Sequence, residues 1–265
     1  MSSQACRNCG VTLTGAFCAS CGQSAHDGHD TTLGHLFHEL THEVLHVDGK
    51  IGRTLLALVA TPGRLTAEYW AGRRAGWIRP FRVFLIAVAI HFLTVPGIGP
   101  MNFDVYVRTD ASGTRDVFIG TSAPLATRAG TTAVTEDDRH RYLERIRKAH
   151  APVRYAAVPL FAVATWALFR RRQAFFANHV VLAAHFYSAW YTLSVLLALA
   201  HLPGRAAATI GLLGSGAYLF ATVRRLFGQR LAWALVSSLC LYAVMLVLEL
   251  LLAFAAGWWV GRAAV

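Results

Sequence analysis

Long apolar runs fill the chain from residue 81 onward, and polar residues fall mostly between them rather than within them. A helix that crosses a bilayer needs roughly 20 largely apolar residues. Five runs approach that length: residues 81–99, 152–169, 180–201, 206–223 and 231–257. The first ends irregularly at Pro96. The last leads into Trp258-Trp259, an aromatic pair suited to a membrane–water interface. Five crossings place the two termini on opposite faces. Ala184, Ser188 and Thr192, and again Ala207, Gly211 and Ser215, recur every fourth position, the spacing of small residues that lets membrane helices pack closely.

The pattern changes before residue 81. At 100° per residue, His35, His38, His42 and His46 of the segment 33–51 form one stripe with Glu39 and Glu43 beside it. Leu33, Leu36, Phe37, Leu40, Val44, Val47 and Ile51 occupy the opposite face, so the segment reads as an amphipathic helix lying on the inner membrane surface. Thr61-Pro62 opens a second short helix, which Gly72 and Gly76 end. Residues 33–80 are therefore expected to be interfacial helices. Between the first two spans, MNFDVYVRT and RDVFIG read as short strands joined by a Gly/Ser turn. Thr135 to Asp138 begins a basic helix with a capping box. The loop 100–151 is thus expected to form a small extracytoplasmic cap.

Composition supports a membrane protein. Charged residues make up 15% of the chain, against roughly 25% in an average soluble protein, and mean hydropathy is +0.43. The net charge is +11, and all basic residues except Lys50 and Lys148 are Arg. Basic clusters flanking apolar runs face anionic lipid and fix topology, so nucleic acid is disfavoured as a partner. Arg73, Arg74 and Arg79 precede the first span. Arg170 to Arg172 lie between spans two and three, and Arg224, Arg225 and Arg230 between four and five. The alternate faces carry Arg205 and Arg262 in their short segments, which places the N-terminus in the cytoplasm. Residues 139–154 dissent, because their six basic side chains fall on the outer face. Arg73, Arg74, Arg79 and Arg82 sit where lipid phosphates would be, or form an anion site. The first thirty residues contain no apolar signal-peptide core.

Four of the five cysteines, Cys6, Cys9, Cys18 and Cys21, form CxxC-x8-CxxC, with Gly after each pair. Four thiolates in two tight knuckles suit one tetrahedral Zn²⁺ with no open position, which makes the ion structural rather than catalytic. A redox CxxC would need a βαβ setting that this segment lacks. Residues 1–22 are read as a zinc ribbon and 23–32 as a polar linker. Reduced thiols agree with a cytoplasmic N-terminus.

Two further features carry chemistry. His38-Glu39…His42 and His42-Glu43…His46 spell the zinc-peptidase motif HExxH twice, overlapping. A catalytic zinc would need a third ligand such as Glu68 or His179, and nothing in the sequence selects one. Glu249 is the sole carboxylate after Glu144 and lies in the longest apolar run. A buried ionisable group in a membrane is a functional candidate by default. It can relay protons, bind a cation, or pair with His91 or His185. His91 lies on the first span and His185 and His201 on the third, and they read as packing residues rather than haem ligands.

From His46 onward the order His46-Val-Asp48-Gly49-Lys50, Arg53-Thr54-Leu55, Pro62-Gly63-Arg64, Glu68-Tyr69, Ala71-Gly72-Arg73-Arg74 and Pro80-Phe81-Arg82 follows a four-cysteine ribbon. This resembles a family of bacterial integral membrane proteins of unknown function with an N-terminal four-cysteine zinc ribbon. The resemblance implies a bacterial inner-membrane location and a helical fold, with no established activity.

The expectation is an all-α polytopic membrane protein of about five transmembrane helices, with an N-terminal zinc ribbon and an extracytoplasmic cap. Its partners would be the bilayer and a cytoplasmic protein recruited by the ribbon, and self-association is compatible with it. A non-enzymatic adaptor or sensor ranks first. A small transporter or proton-coupled carrier centred on Glu249 comes next, and a membrane-associated zinc metalloprotease last.

Overall fold

The computed structural model describes residues 4–25, 50–95, 104–109, 115–120 and 155–262. For 104–109, 115–120 and 256–262 it describes the backbone path alone. Among the described residues there are seven helices: α1 Ile51–Ala60, α2 Arg64–Trp70, α3 Pro80–Thr94, α4 Tyr155–Phe169, α5 Phe176–Leu199, α6 Gly204–Phe227 and α7 Leu231–Arg262. Strands β1 Asp104–Thr109 and β2 Arg115–Gly120 pair antiparallel, Asp104 opposite Gly120, as the two short apolar stretches led one to expect. The His-rich segment 33–49, most of the polar linker, the remainder of the 100–151 loop and the side chains of Trp258-Trp259 lie outside the described residues.

Among the described residues three helices, α5, α6 and α7, are long and apolar enough to cross a membrane, where the sequence leads one to expect five spans. The expected first span, 81–99, is shortened to the 15 residues of α3. Its end has a steric cause. Val95 is extended (φ −99°, ψ 110°), the conformation that a following proline imposes, and Pro96 is next in sequence. Fifteen residues rise about 22 Å, short of the roughly 30 Å hydrocarbon core. At its start, extended Arg79 leads into Pro80, whose missing N–H costs nothing in a first turn.

The long helices depart from the apolar limits read from sequence. The expected 180–201 becomes 176–199, the expected 206–223 becomes 204–227, and the expected 231–257 extends to 262. In α6, Arg205, Arg224 and Arg225 stop a hydropathy count, but backbone hydrogen bonding continues through them while their side chains stay exposed. Backbone geometry sets the true ends. Left-handed Gly228 (φ 54°) stops α6, and left-handed His201 (φ 50°) follows α5.

α5 is the central element. In its most apolar window 72% of residues are buried, against 22% in α6 and 28% in α7. Phe84 of α3, Phe161 of α4 and Leu219 of α6 join Phe186, Tyr187 and Tyr191 of α5 in one core. The rings of Phe161 and Phe186 stack 5.1 Å apart. α6 comes close where its residues are small. A Cβ on Gly214 would stand 3.2 Å from Leu193, and one on Gly211 3.5 Å from Leu197. Ser215 then turns toward α7 and meets the Tyr242 hydroxyl at 2.8 Å. The outward residues of α7, among them Trp233, Leu239, Leu251 and Phe254, are exposed.

α1 and α2 meet at a tight corner packed on α6. Gly63 is left-handed (φ 73°), and a Cβ there would lie 3.1 Å from the Thr222 Cα. The Arg225 guanidinium donates to the carbonyls of Thr61 and Pro62, 3.3 and 2.8 Å away. Gly63→Ala must adopt a left-handed conformation costing about 1–2 kcal/mol and also displace α6. It should lower the melting temperature of the detergent-solubilised protein, whereas Gly204→Ala, which meets nothing within 4 Å, should not.

Candidate metal centre and its docking on the helices

The two knuckles repeat one backbone design. Gly10 N–H donates to Cys6 O and Gly22 N–H to Cys18 O, both at 2.8 Å. Cys6 N–H donates to Val11 O and Cys18 N–H to Gln23 O, again at 2.8 Å. Gly10 and Gly22 have φ of 81° and 72°, a conformation that glycine adopts without a side-chain clash. Isolated bridges, Ala5 to Thr12 and Phe17 to Ser24, close each unit.

This brings all four sulfurs together. Cys6 Sγ lies 3.6 Å from Cys21 Sγ, Cys9 Sγ lies 3.5 Å from Cys18 Sγ, and all four atoms fall within 4.8 Å of one another. A disulfide needs about 2.05 Å, and all four are free thiols. A tetrahedral ion with bonds of about 2.3 Å needs sulfurs about 3.8 Å apart, so the donor set fits a metal ion. The electrostatics agree. The Cys9 amide lowers the Cys6 thiol to about 6, and the amides of Cys21 and Ser20 lower Cys18. At Cys9 the Val11 amide pulls downward, but desolvation and the neighbouring sulfurs outweigh it and raise the thiol to about 11. Full deprotonation therefore needs a cation among the sulfurs.

The residue after the second knuckle docks the ribbon on the helices. Gln23, expected to begin the linker, is instead 4% exposed. Its Nε2 donates to Gly72 O at 2.6 Å, while its Oε1 accepts from the backbone N–H groups of Arg74 and Ala75 at 3.0 and 3.2 Å. Gly72 is left-handed (φ 79°), and a Cβ there would come within 3.0 Å of Arg7 Cδ. Because the Gln23 carbonyl also accepts from Cys18, the fold of the knuckle sets the position of the docking side chain. A polar residue after a Cys-Gly pair looks like linker in sequence, so this contact had no signal there.

The other candidates have varied surroundings. Arg73 Nε contacts Glu68 Oε2 at 2.5 Å, a hydrogen bond that holds the Glu68 carboxyl below its usual range. The Arg74 guanidinium stands 4.0 Å over the Tyr69 ring. Arg79 and Arg82 are half-buried at the start of α3. His38, Glu39, His42, Glu43 and His46 lie outside the described residues. Of the two third ligands considered for them, Glu68 is held by Arg73, and both ring nitrogens of His179 are engaged, by Thr165 Oγ1 at 3.2 Å and Gln173 O at 2.9 Å.

Glu249 is buried on α7, where its carboxyl neighbours the Tyr187 hydroxyl of α5. His91 instead meets Ser194 Oγ at 2.7 Å, and His185 meets Thr66 Oγ1 at 2.9 Å. His201 lies exposed beyond α5, so the three histidines do not converge.

Residues 48–92 match the family model described as Protein of unknown function (DUF3667). That stretch includes α1, α2 and most of α3, together with the loop on which the ribbon docks; the ribbon itself and α4 to α7 lie outside it. No curated protein and no solved structure matches the chain.

Two outcomes follow at this site. At pH 7 the free cluster keeps the Cys9 proton, and a bound divalent ion expels it. Zinc binding should therefore release protons, measurable by calorimetry in buffers of different ionisation heat, and affinity should rise with pH. Gln23→Ala removes three hydrogen bonds, each worth about 0.5–1.5 kcal/mol net. It should accelerate hydrogen exchange at Arg74 and Ala75 while leaving the metal content unchanged.

Proposed function

We propose that the protein is a multi-pass protein of a bacterial inner membrane, N-terminus cytoplasmic, that acts as a non-enzymatic adaptor or sensor through one structural zinc ion. Three long apolar helices support the membrane assignment. In the five-span arrangement α3 and α4 complete the bundle, a reading supported by the packing of Phe84 and Phe161 against α5. The Arg distribution supports the orientation, and the resemblance of residues 46–82 supports the bacterial source. Four thiol ligands with no open position favour zinc in a structural role.

The adaptor reading is carried by the Gln23 contact. It seats the ribbon on the loop after α2, with Val11 and Phe17 exposed for a cytoplasmic partner. Metal loss would unfold the knuckle that positions Gln23, which gives a sensor its coupling. Arg79 and Arg82 are assigned to lipid phosphates, with Arg73 and Arg74 beside them. A second reading, a proton-coupled carrier, is favoured by the buried Glu249 carboxyl beside Tyr187.

Elemental analysis separates these readings from the peptidase. One zinc per chain is expected, lost in the Cys9→Ser/Cys18→Ser variant and retained in His42→Ala. A second equivalent that depends on His42 would instead favour the peptidase. Deleting residues 1–22 should leave the membrane part folded and remove a cytoplasmic partner recovered with the full chain; a partner that stays bound contradicts the adaptor role. Loss of solute flux in Glu249→Gln would favour the carrier.

A further inference from the structure

A cavity of about 400 Å³ opens between α1, α3 and α5. Its size falls within the roughly 300–1,000 Å³ of small-ligand sites, and its wall presents no polar atom. Leu55, Leu56, Val59 and Ala60 of α1 form one side, facing Ile90 of α3 and Val195 of α5. Thr192 contributes only carbon, since its hydroxyl donates to Ser188 O at 2.8 Å. Such a wall can orient no polar ligand, but it can solvate a hydrocarbon chain.

The occupant is indicated by charge beside the cavity. On α1, Arg53 shares a stripe with Leu56 and Ala60, about 4.5 Å along the axis from Leu56. The guanidinium groups of Arg53 and Arg64 both lie over the Trp77 ring, 5.2 and 5.5 Å from its centre. Both side chains are exposed. Arg53 donates to Gly76 O, and Glu68, the carboxylate that senses Arg64, is bonded to Arg73. A guanidinium has five N–H donors in a planar fork, so both retain donors for a phosphate. Trp77 beside them is the residue type of the headgroup level.

We propose that this cavity holds one acyl chain of an anionic phospholipid, whose phosphate is bound by Arg53 and Arg64. The site rests on the membrane reading above and adds a specific lipid to it. Full-length protein in detergent is titrated with phosphatidylglycerol, phosphatidylcholine or glycerol 3-phosphate and read by native mass spectrometry. One phosphatidylglycerol should be retained per chain, about thirtyfold more tightly than phosphatidylcholine, whose choline cation offsets the phosphate charge that the two arginines meet. Glycerol 3-phosphate should not compete.

Leu56→Trp, a change at an exposed position that fills the cavity mouth, should weaken retention at least tenfold. Arg53→Gln with Arg64→Gln leaves the cavity open and should make the two lipids equivalent. The proposal is overturned if either variant retains phosphatidylglycerol as the wild type does, if the two lipids bind equally to wild type, or if glycerol 3-phosphate competes. A protein that needs no detergent would instead remove the membrane reading itself.

Discussion

α5 is the most buried of the three long helices, its His179, His185 and Ser194 side chains are matched one by one by its neighbours, and most of the described structure is arranged around it. α3, α4, α6 and the α1–α2 corner each pack against it, and the small residues of α6 permit a close approach. The helix also carries the polar groups that fix how its neighbours register. His179 pairs with Thr165 of α4, His185 with Thr66 of α2, and Ser194 with His91 of α3. In an apolar bundle an unmatched polar group is costly, so each pair rejects a shifted alignment. α6 and α7, needed on fewer sides, keep apolar surfaces facing outward.

The same order reaches the N-terminal module through few contacts. Thr66 ties α2 to α5. The loop after α2 offers one carbonyl and two N–H groups, and Gln23 satisfies all three. Since the carbonyl of Gln23 belongs to the second cysteine knuckle, a line of hydrogen bonds runs from that knuckle to the loop after α2. About twenty residues cannot bury a core of their own, so a metal ion held by the four cysteines would supply the ribbon's internal order, and this loop gives it its place.

Features that depend on local chemistry were readable in the sequence. Spacing alone brought Cys6, Cys9, Cys18 and Cys21 together, and alternation identified the strands around Val105 and Val117. Features that depend on long-range geometry were not. A window of hydropathy passes through Val95 and stops at Arg224, whereas the backbone breaks at the first and continues past the second. Glu249 stood out as a buried charge, but its neighbour Tyr187 is known only once α5 and α7 are placed. Arg73 reads as a lipid or anion contact in sequence, and that Glu68 of α2 stands beside it follows only from the fold.

The proposed arrangement is a membrane-embedded bundle with the cysteine ribbon on its inner face. The most direct measurement expresses the full chain with a fluorescent protein at the N-terminus or alkaline phosphatase at the C-terminus, then washes the membranes at alkaline pH. The protein should stay in the pellet, with fluorescence at the N-terminus and phosphatase activity at the C-terminus. Protein released into the supernatant, or a ribbon exposed on the outer face, would contradict it.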